Sequence, residues 1–499
     1  MSNDEIDIEP SLRRMILIEL IFPVVLLVLG IYHGLMQVLY RSGMIHTRKI
    51  LGLEYYQGLT LHGVVNAIVF TTFFAVAFGY AVIRFYLGRA LNMKVAWLSF
   101  ALMTIGTLLA AAAILSGKAS VLYTFYPPLR AHPAFYIGLT LTVVGSWIAF
   151  FNWLPPYFAW KREHPGEKIP LAVVGIFAAF IVWLVATIPV AVEIIFLLIP
   201  LSLGWVATVN VPLARMLFWF FGHPLVYFWL LPTYVMYYTM LPKLSGGKLF
   251  SDFAGRLTFL WLVLYSAPVG IHHQFTEPGI SSTWKFVHAF FTMLVAVPSF
   301  ATAFALAASM EHGARANGGR GLLGWWTKLP YLDQNRWLFS YFFCGLVIFI
   351  FGGVTGNHQR VLQPGHGCAQ HLLVAGAFSS NGRRSHFPFL HRDEFVSARK
   401  THGQGNQTSR LECVGAIHLD TRHHDLFDRS FHRRRGRRAA SDKHGPDICQ
   451  SPVAALSRRL ACSEAAWQCR RDNHDHRGVN VFHHFLCNSF REIDKSGHA

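Results

Sequence analysis

Four histidines stand inside apolar stretches of this chain: His62 in YYQGLTLHGVVNAIVF, His223 in WFFGHPLVYFWLLP, and the adjacent His272 and His273 in SAPVGIHHQF. Neutral imidazole is the commonest side-chain ligand of transition metals. A charge at the centre of a lipid-spanning helix costs about 2.5–3.5 kcal/mol on insertion scales, so an ionisable residue there is a functional candidate by default. Two neighbouring histidines reach one ion only where their helix is distorted or ends, which Pro268 and Gly270 permit. Tyr227 follows His223 by four residues and so shares its helix face. Tyr234 and Tyr238 continue that face, and hydroxyls descend from the histidine by about 1.5 Å per residue. Such a file could carry protons, and Ser299 and Thr302, three residues apart in a later segment, add hydroxyls at intermediate depth. Blander readings stand beside these. A lone buried histidine can bond a neighbouring helix, Ser299 and Thr302 can serve helix packing, and Tyr238 can belong to an interfacial aromatic belt. His33 and His288 read as structural.

The elements that must hold these groups are written in the hydropathy. The chain has 499 residues, 53% apolar and only 14% charged, a membrane-protein composition. A spanning helix needs about 20 largely apolar residues. Nine segments qualify, at 15–40, 61–85, 95–116, 132–160, 169–203, 212–242, 256–274, 283–310 and 337–356. The fold class is therefore all-α, a polytopic transmembrane helical bundle over residues 1–356. The start MSNDEIDIEP lacks a basic n-region and a small-residue cleavage site, so the first span reads as a retained helix. Lys and Arg concentrate in the loops that face the cytoplasm if the N-terminus does. In that orientation the second and sixth spans run inward and the seventh runs outward, which brings His62, His223 and the histidine pair to one layer.

With these residues in view, the sequence resembles the catalytic subunit I of haem-copper terminal oxidases, most closely the B-type cytochrome c oxidases. The resemblance rests on GHPLVYFWLLP, PVGIHHQF, YYQGLTLHGVVNAIVF and TFYPPLRAHPAFYIG, and runs from about residue 15 to residue 356. It implies that His223, His272 and His273 hold copper and that His62 is an axial ligand of a low-spin haem. A high-spin haem would face the copper. It further implies that Tyr227 is bonded covalently to its histidine and supplies an electron and a proton when the O–O bond breaks. Tyr234, Tyr238, Ser299 and Thr302 would line the proton path. The implied activity is reduction of O2 to water with electrons from cytochrome c, coupled to proton pumping in a bacterial plasma membrane, beside a copper-containing subunit II. Leu225 stands where many A-type enzymes carry a glutamate, which implies a single proton channel, and Tyr227 argues against a nitric-oxide reductase. A polytopic proton or metal transporter without haem is the alternative class.

At Asn357 the chain changes character. Residues 357–499 hold 22 of the 44 Lys and Arg, 16 of the 26 histidines and six of the seven cysteines. Half of the formal charge of +18 arises there, and no nucleic-acid partner is expected. HRRRGRR (432–438) could be an anionic-lipid or nucleic-acid patch, and Cys462, Cys469 and Cys487 a zinc site, although no cysteine pair has C-x-x-C spacing. A third reading accounts for more. If codons for NHQRVLQPGH are read one base later, they can encode IINASFNLDT, and the same shift carried through Asn381 gives VVHNTSWLPGHFHLT, with only wobble bases free. The resembling family continues with a pattern like HNTxWxPGHFH, whose two final histidines bind the two haems and would lie over Ala377 to Ser380. Residues 357–499 therefore read as an out-of-frame translation without a packed core, and the chain as written as lacking haem ligands and activity.

Overall fold

In lipid every backbone polar group must be satisfied within the protein, so a long apolar run has the helix as its solution. The computed structural model of the chain describes residues 8–361, except 47, 48, 51, 276 and 278. Helix α1 spans Pro10–Arg41 and opens on a proline, whose missing amide hydrogen costs nothing at the first helical position. A two-residue hairpin, β1 (Lys49–Ile50) with β2 (Leu53–Glu54), leads to α2 (Tyr55–Val64). That helix widens into a π-helical turn at Val65–Val69 and resumes as α3 (Phe70–Leu87). Next come α4 (Met93–Leu115) and α5 (Pro133–Glu163). Helix α6 (Leu171–Glu193) widens in turn at Ile194–Leu198 before the short α7 (Ile199–Ser202). Helices α8 (Val211–Gly222) and α9 (Pro224–Leu244) meet at His223. The described chain closes with α10 (Asp252–Ser266), α11 (Ser282–Leu294), α12 (Ala296–Ala316) and α13 (Leu338–Val361).

Among the described residues, seven helical runs are long and apolar enough to cross a membrane: Pro10–Arg41, Tyr55–Leu87, Met93–Leu115, Pro133–Glu163, Leu171–Ser202, Val211–Leu244 and Ser282–Ala316. These match seven of the nine expected spans and make the protein an integral membrane one. The other two are helical but shorter. The segment expected at 256–274 is a 15-residue helix that stops at Ser266 and continues as a 3-10 turn over Ala267–Gln274, because Pro268 has no amide hydrogen to continue the α-helical ladder. The last has a shorter apolar part, Leu338–Gly352, and its backbone runs on helically past Asn357 to Val361. Residues 362–499, with nearly all of the segment expected to lack a core, lie outside the described residues.

Two groups of contacts position the polar residues. Helix α1 packs on α2 and α3, whereas α6, α8, α9 and the 3-10 turn pack together, with α11 against that turn. The buried centre is aromatic. The ring of Trp183 stacks on Phe228 at 4.2 Å, and Trp153 meets Phe180 edge-on at 4.5 Å. Lipid tails are as apolar as these side chains, so close van der Waals packing rather than hydrophobic expulsion holds such helices together. Val25, Val28 and Ile31 of α1 point away from the bundle, as a lipid-facing stripe would.

Candidate metal centre

His223 sits at the break between α8 and α9, where Pro224 begins a new helix with no hydrogen to donate backward. The 3-10 turn after α10 brings His272 and His273 to the same place. Ligand atoms of the three imidazoles lie within 4.8 Å of one another, the only such group of three among the described residues. Nδ1 of His223 is 2.9 Å from Nε2 of His273, and the rings of His223 and His272 are 4.2 Å apart and almost perpendicular. His223 and His272 are buried. No carboxylate belongs to the group. A neutral, all-imidazole donor set suits copper, zinc or iron among the transition metals rather than magnesium or calcium, and the residues present therefore fit a copper ion.

Each ring is held differently. The hydroxyl of Tyr227 lies 2.8 Å from Nε2 of His223, as the four-residue spacing predicted. His272 Nδ1 lies 2.7 Å from Thr292 Oγ1. His273 stacks on the indole of Trp219 at 3.9 Å and 18°. Gly270 lets the turn come this close to α8, since a Cβ there would stand 1.8 Å from the Trp219 carbonyl oxygen. Beyond the pair, Arg215 reaches Glu277 at 3.0 Å and Lys285 donates to the carbonyls of Phe275 and Glu277 at 2.8 and 3.2 Å. These cations strap down the segment that follows the ligands.

His62 lies at a separate place, between α1 and α2. Its Nδ1 is 2.7 Å from the Gly30 carbonyl oxygen and 3.1 Å from Asn66 Nδ2. A carbonyl can only accept, so in this shorter contact Nδ1 carries the hydrogen and Nε2 the lone pair, the arrangement usual in metal-ligating histidines, and the Asn66 amide nitrogen then lies beside Nδ1 without donating to it. His62 thus presents a ring-nitrogen lone pair of the kind that a haem iron takes. The π-helical turn begins three residues later, and π-bulges often accompany functional sites.

The expected proton path is only partly joined. Tyr238 donates to Thr302 Oγ1 at 3.0 Å and lies 3.4 Å from Thr258 Oγ1. Its 2% exposure sets the ring inside the bundle and not on a lipid-facing surface. Tyr234 is buried on the same helix, with its hydroxyl facing Ser299 and Thr302 but just outside close hydrogen-bond geometry with either. Ser299 turns to its own helix, donating to the Val295 carbonyl at 3.4 Å. Sequence reading missed Thr258, Thr292 and Trp219. Of these only Trp219, four residues before His223, carried a periodic signal. His288, read as structural, accepts the Ile271 amide at its Nδ1 at 3.2 Å.

Comparison with known proteins follows the same lines. The profile of the family described as Cytochrome C and Quinol oxidase polypeptide I matches residues 14–363. Cytochrome c oxidase subunit 1 of Thermus thermophilus is 45% identical over 338 residues, which are 64% of this chain and 58% of that protein. Quinol oxidase subunit 1 of Sulfolobus acidocaldarius is 27% identical over 250 residues, 46% of each chain. The matched part thus spans little more than half of the first relative and less than half of the second. A heme-copper terminal oxidase dimer solved by cryo-EM superposes with a TM-score of 0.70 at 42% identity, covering 89% of this chain and 86% of that one.

Proposed function

Because the chain belongs to the cytochrome c and quinol oxidase polypeptide I family, we propose that it is built as the catalytic subunit of a B-type terminal respiratory oxidase. It would reduce O2 to water with electrons from cytochrome c and move protons outward. The observation that carries this reading is the phenol. Three imidazoles suit many copper proteins, but the Tyr227 hydroxyl 2.8 Å from a ligand ring adds a proton and electron donor at the metal's edge. The 45% identity to a cytochrome c oxidase against 27% to a quinol oxidase supports cytochrome c as donor. Family membership disfavours a haem-free transporter.

Copper held by His223, His272 and His273 would supply O2 binding and one-electron chemistry. The chain's own residues do the rest. Tyr227 holds a transferable proton at its hydroxyl oxygen, against His223 Nε2. Tyr238, fixed by Thr302 and Thr258, takes protons from the inner side toward Tyr234. Ser299 extends this path only by turning away from Val295. His62 would hold the low-spin haem iron, which would supply electron transfer to the copper site. Its second ligand and the ligand of a high-spin haem are not written in this chain, so no step here runs through either group.

The same reading covers residues 357–499, which are an out-of-frame translation. Their composition supports it, as does a family match that ends at residue 363. The frame-restored subunit would sit in a bacterial plasma membrane with its N-terminus in the cytoplasm, beside a copper-containing subunit II that receives electrons from cytochrome c. The test is to express the written and frame-restored chains side by side. Haem bands and cytochrome c oxidation are expected from the restored chain alone. A verified gene sequence encoding Asn-His-Gln-Arg in frame at 357–360 would overturn the frame argument, and a haem-free restored chain the oxidase reading.

A further inference from the structure

Helix α11 lies across the back of the histidine pair and makes two buried contacts with it. The Thr292 hydroxyl donates to the His288 carbonyl of its own helix at 2.6 Å. A hydroxyl has one hydrogen, so Thr292 Oγ1 can only accept in its 2.7 Å contact with His272 Nδ1. His272 therefore carries its hydrogen on Nδ1 and its lone pair on Nε2. One turn earlier, His288 Nδ1 accepts the backbone amide of Ile271, the residue before the pair, at 3.2 Å. Both α11 residues are buried, at 0% and 4% exposure, and neither belongs to the three-imidazole group. A 3-10 turn has poorer hydrogen-bond geometry than an α-helix, and the two contacts from α11 add fixed points to the turn that carries the pair.

We propose that Thr292 and His288 are positioning residues of the copper site. Thr292 fixes the tautomer of His272 so that Nε2 is its ligand atom, and His288 holds the Ile271 amide that sets the height of the pair. The proposal rests on the copper reading and adds how the ligand nitrogen is chosen. Tyr227 plays the same part for His223 when its hydroxyl oxygen accepts the Nε2 hydrogen, which leaves the Nδ1 lone pair toward His273. A methyl in place of the Thr292 hydroxyl keeps the volume but removes the acceptor. The ring of His272 is then no longer bound to present Nε2, and metal affinity falls on the order of 10- to 100-fold, the usual cost of an outer-sphere partner.

The test uses the full chain, purified in detergent and loaded with Cu(I). Affinity is read by competition with a colorimetric Cu(I) chelator. Ligation is read by Raman spectroscopy of the histidine ring C4=C5 stretch, which separates Nδ1-bound from Nε2-bound imidazole. Thr292→Val should bind on the order of 10- to 100-fold more weakly and exchange one Nε2-bound marker for an Nδ1-bound one. Thr292→Ser should match the parent in both, and His288→Phe should weaken binding without changing the marker. Wild-type affinity and spectrum in Thr292→Val, with binding lost in His223→Ala, would overturn the positioning role and leave the copper reading standing. So would a Thr292→Ser as weak as the valine variant, since packing rather than the hydroxyl would then matter. Undiminished copper in His223→Ala would overturn both. Should Thr292→Val not fold, the parent spectrum decides: the band lost in His272→Ala must be the Nε2-bound one, and an Nδ1-bound band overturns the proposal.

Discussion

His62 of α2 occupies the space that a side chain on Gly34 of α1 would need, its Cε1 2.4 Å and its Nδ1 2.6 Å from the position of a Cβ there. The exchange is mutual, for His33 of α1 fills the space over Gly58 of α2, with its Nδ1 2.7 Å from a Cβ at 58. Small residues let the two backbones approach, and only at that distance does the Gly30 carbonyl reach His62 Nδ1. Gly34→Ala is therefore expected to push the ring off the carbonyl. Overpacking of this kind costs about 1–3 kcal/mol, to be read as a lowered midpoint in thermal unfolding of the detergent-solubilised chain. Gly30→Ala should cost less, since the obstacle there is the Asn66 side-chain oxygen at 2.2 Å, the end of a side chain that can turn. Equal stability of Gly34→Ala and the parent would show that the ring has room to move.

Gly270→Ala makes a sharper demand, because what a Cβ would strike is main chain. The Trp219 carbonyl oxygen and carbon lie 1.8 and 2.5 Å from it. Gly270 comes two residues before His272, and Trp219 four before His223, so this contact sets the gap between the two segments that deliver the ligands. A loss of about 3 kcal/mol is expected, with Cu(I) binding lost although all three histidines remain. Metal content after gel filtration of the folded fraction measures this, and full copper occupancy in the variant would contradict it.

The inward hydroxyls can be tested without turnover. Tyr238→Phe and Thr302→Val each break the same 3.0 Å hydrogen bond, one between buried groups worth about 1 kcal/mol net. Removing both partners should cost less than the two single losses added together, with a coupling of about 0.5 kcal/mol or more. Tyr238→Phe with Ser299→Ala should be additive, because Ser299 bonds Val295 of its own helix. Denaturation midpoints of the three single and two double variants decide it, and a coupling to Ser299 as large as that to Thr302 would restore the file expected from the sequence.

These residues also mark how far the sequence could be read. Whatever repeats along one helix was visible: the spans, the break expected at Pro268 and Gly270, and the His223–Tyr227 pair. The meeting of His223 with His272 and His273 followed from counting alternate spans through the membrane. Contacts sideways between helices leave no period. Thr292 is one threonine in an apolar run until α11 lies against the 3-10 turn, and Thr258 comes within reach of the Tyr238 hydroxyl only because α10 passes it. Ser299 shows the complementary effect: a serine in a helix can satisfy itself on the carbonyl four residues back, and the Ser299 hydroxyl lies 3.4 Å from that of Val295, a contact that spacing along the helix does not reveal.

The start of α1 carries a pH-dependent tie to the end of α3. Arg84 Nε donates to both oxygens of Glu9, at 3.1 and 2.9 Å, and its guanidinium holds the Glu9 carboxyl below the usual carboxylate range. A folded-state pKa that is depressed means the folded chain binds the proton less readily than the unfolded one. The stabilisation is complete above the unfolded value, about 4.3 for a free glutamate, and fades as pH falls through the lower folded value. Glu9 is 43% exposed at its side chain, so water screens the pair and its worth is at most about 1 kcal/mol. Glu9→Gln should thus lower the thermal midpoint slightly at pH 7, and the gap between variant and parent should close below about pH 4. High salt should shrink it as well. A gap that persists unchanged in acid would mean that the side chain acts by packing against α3 and not by its charge.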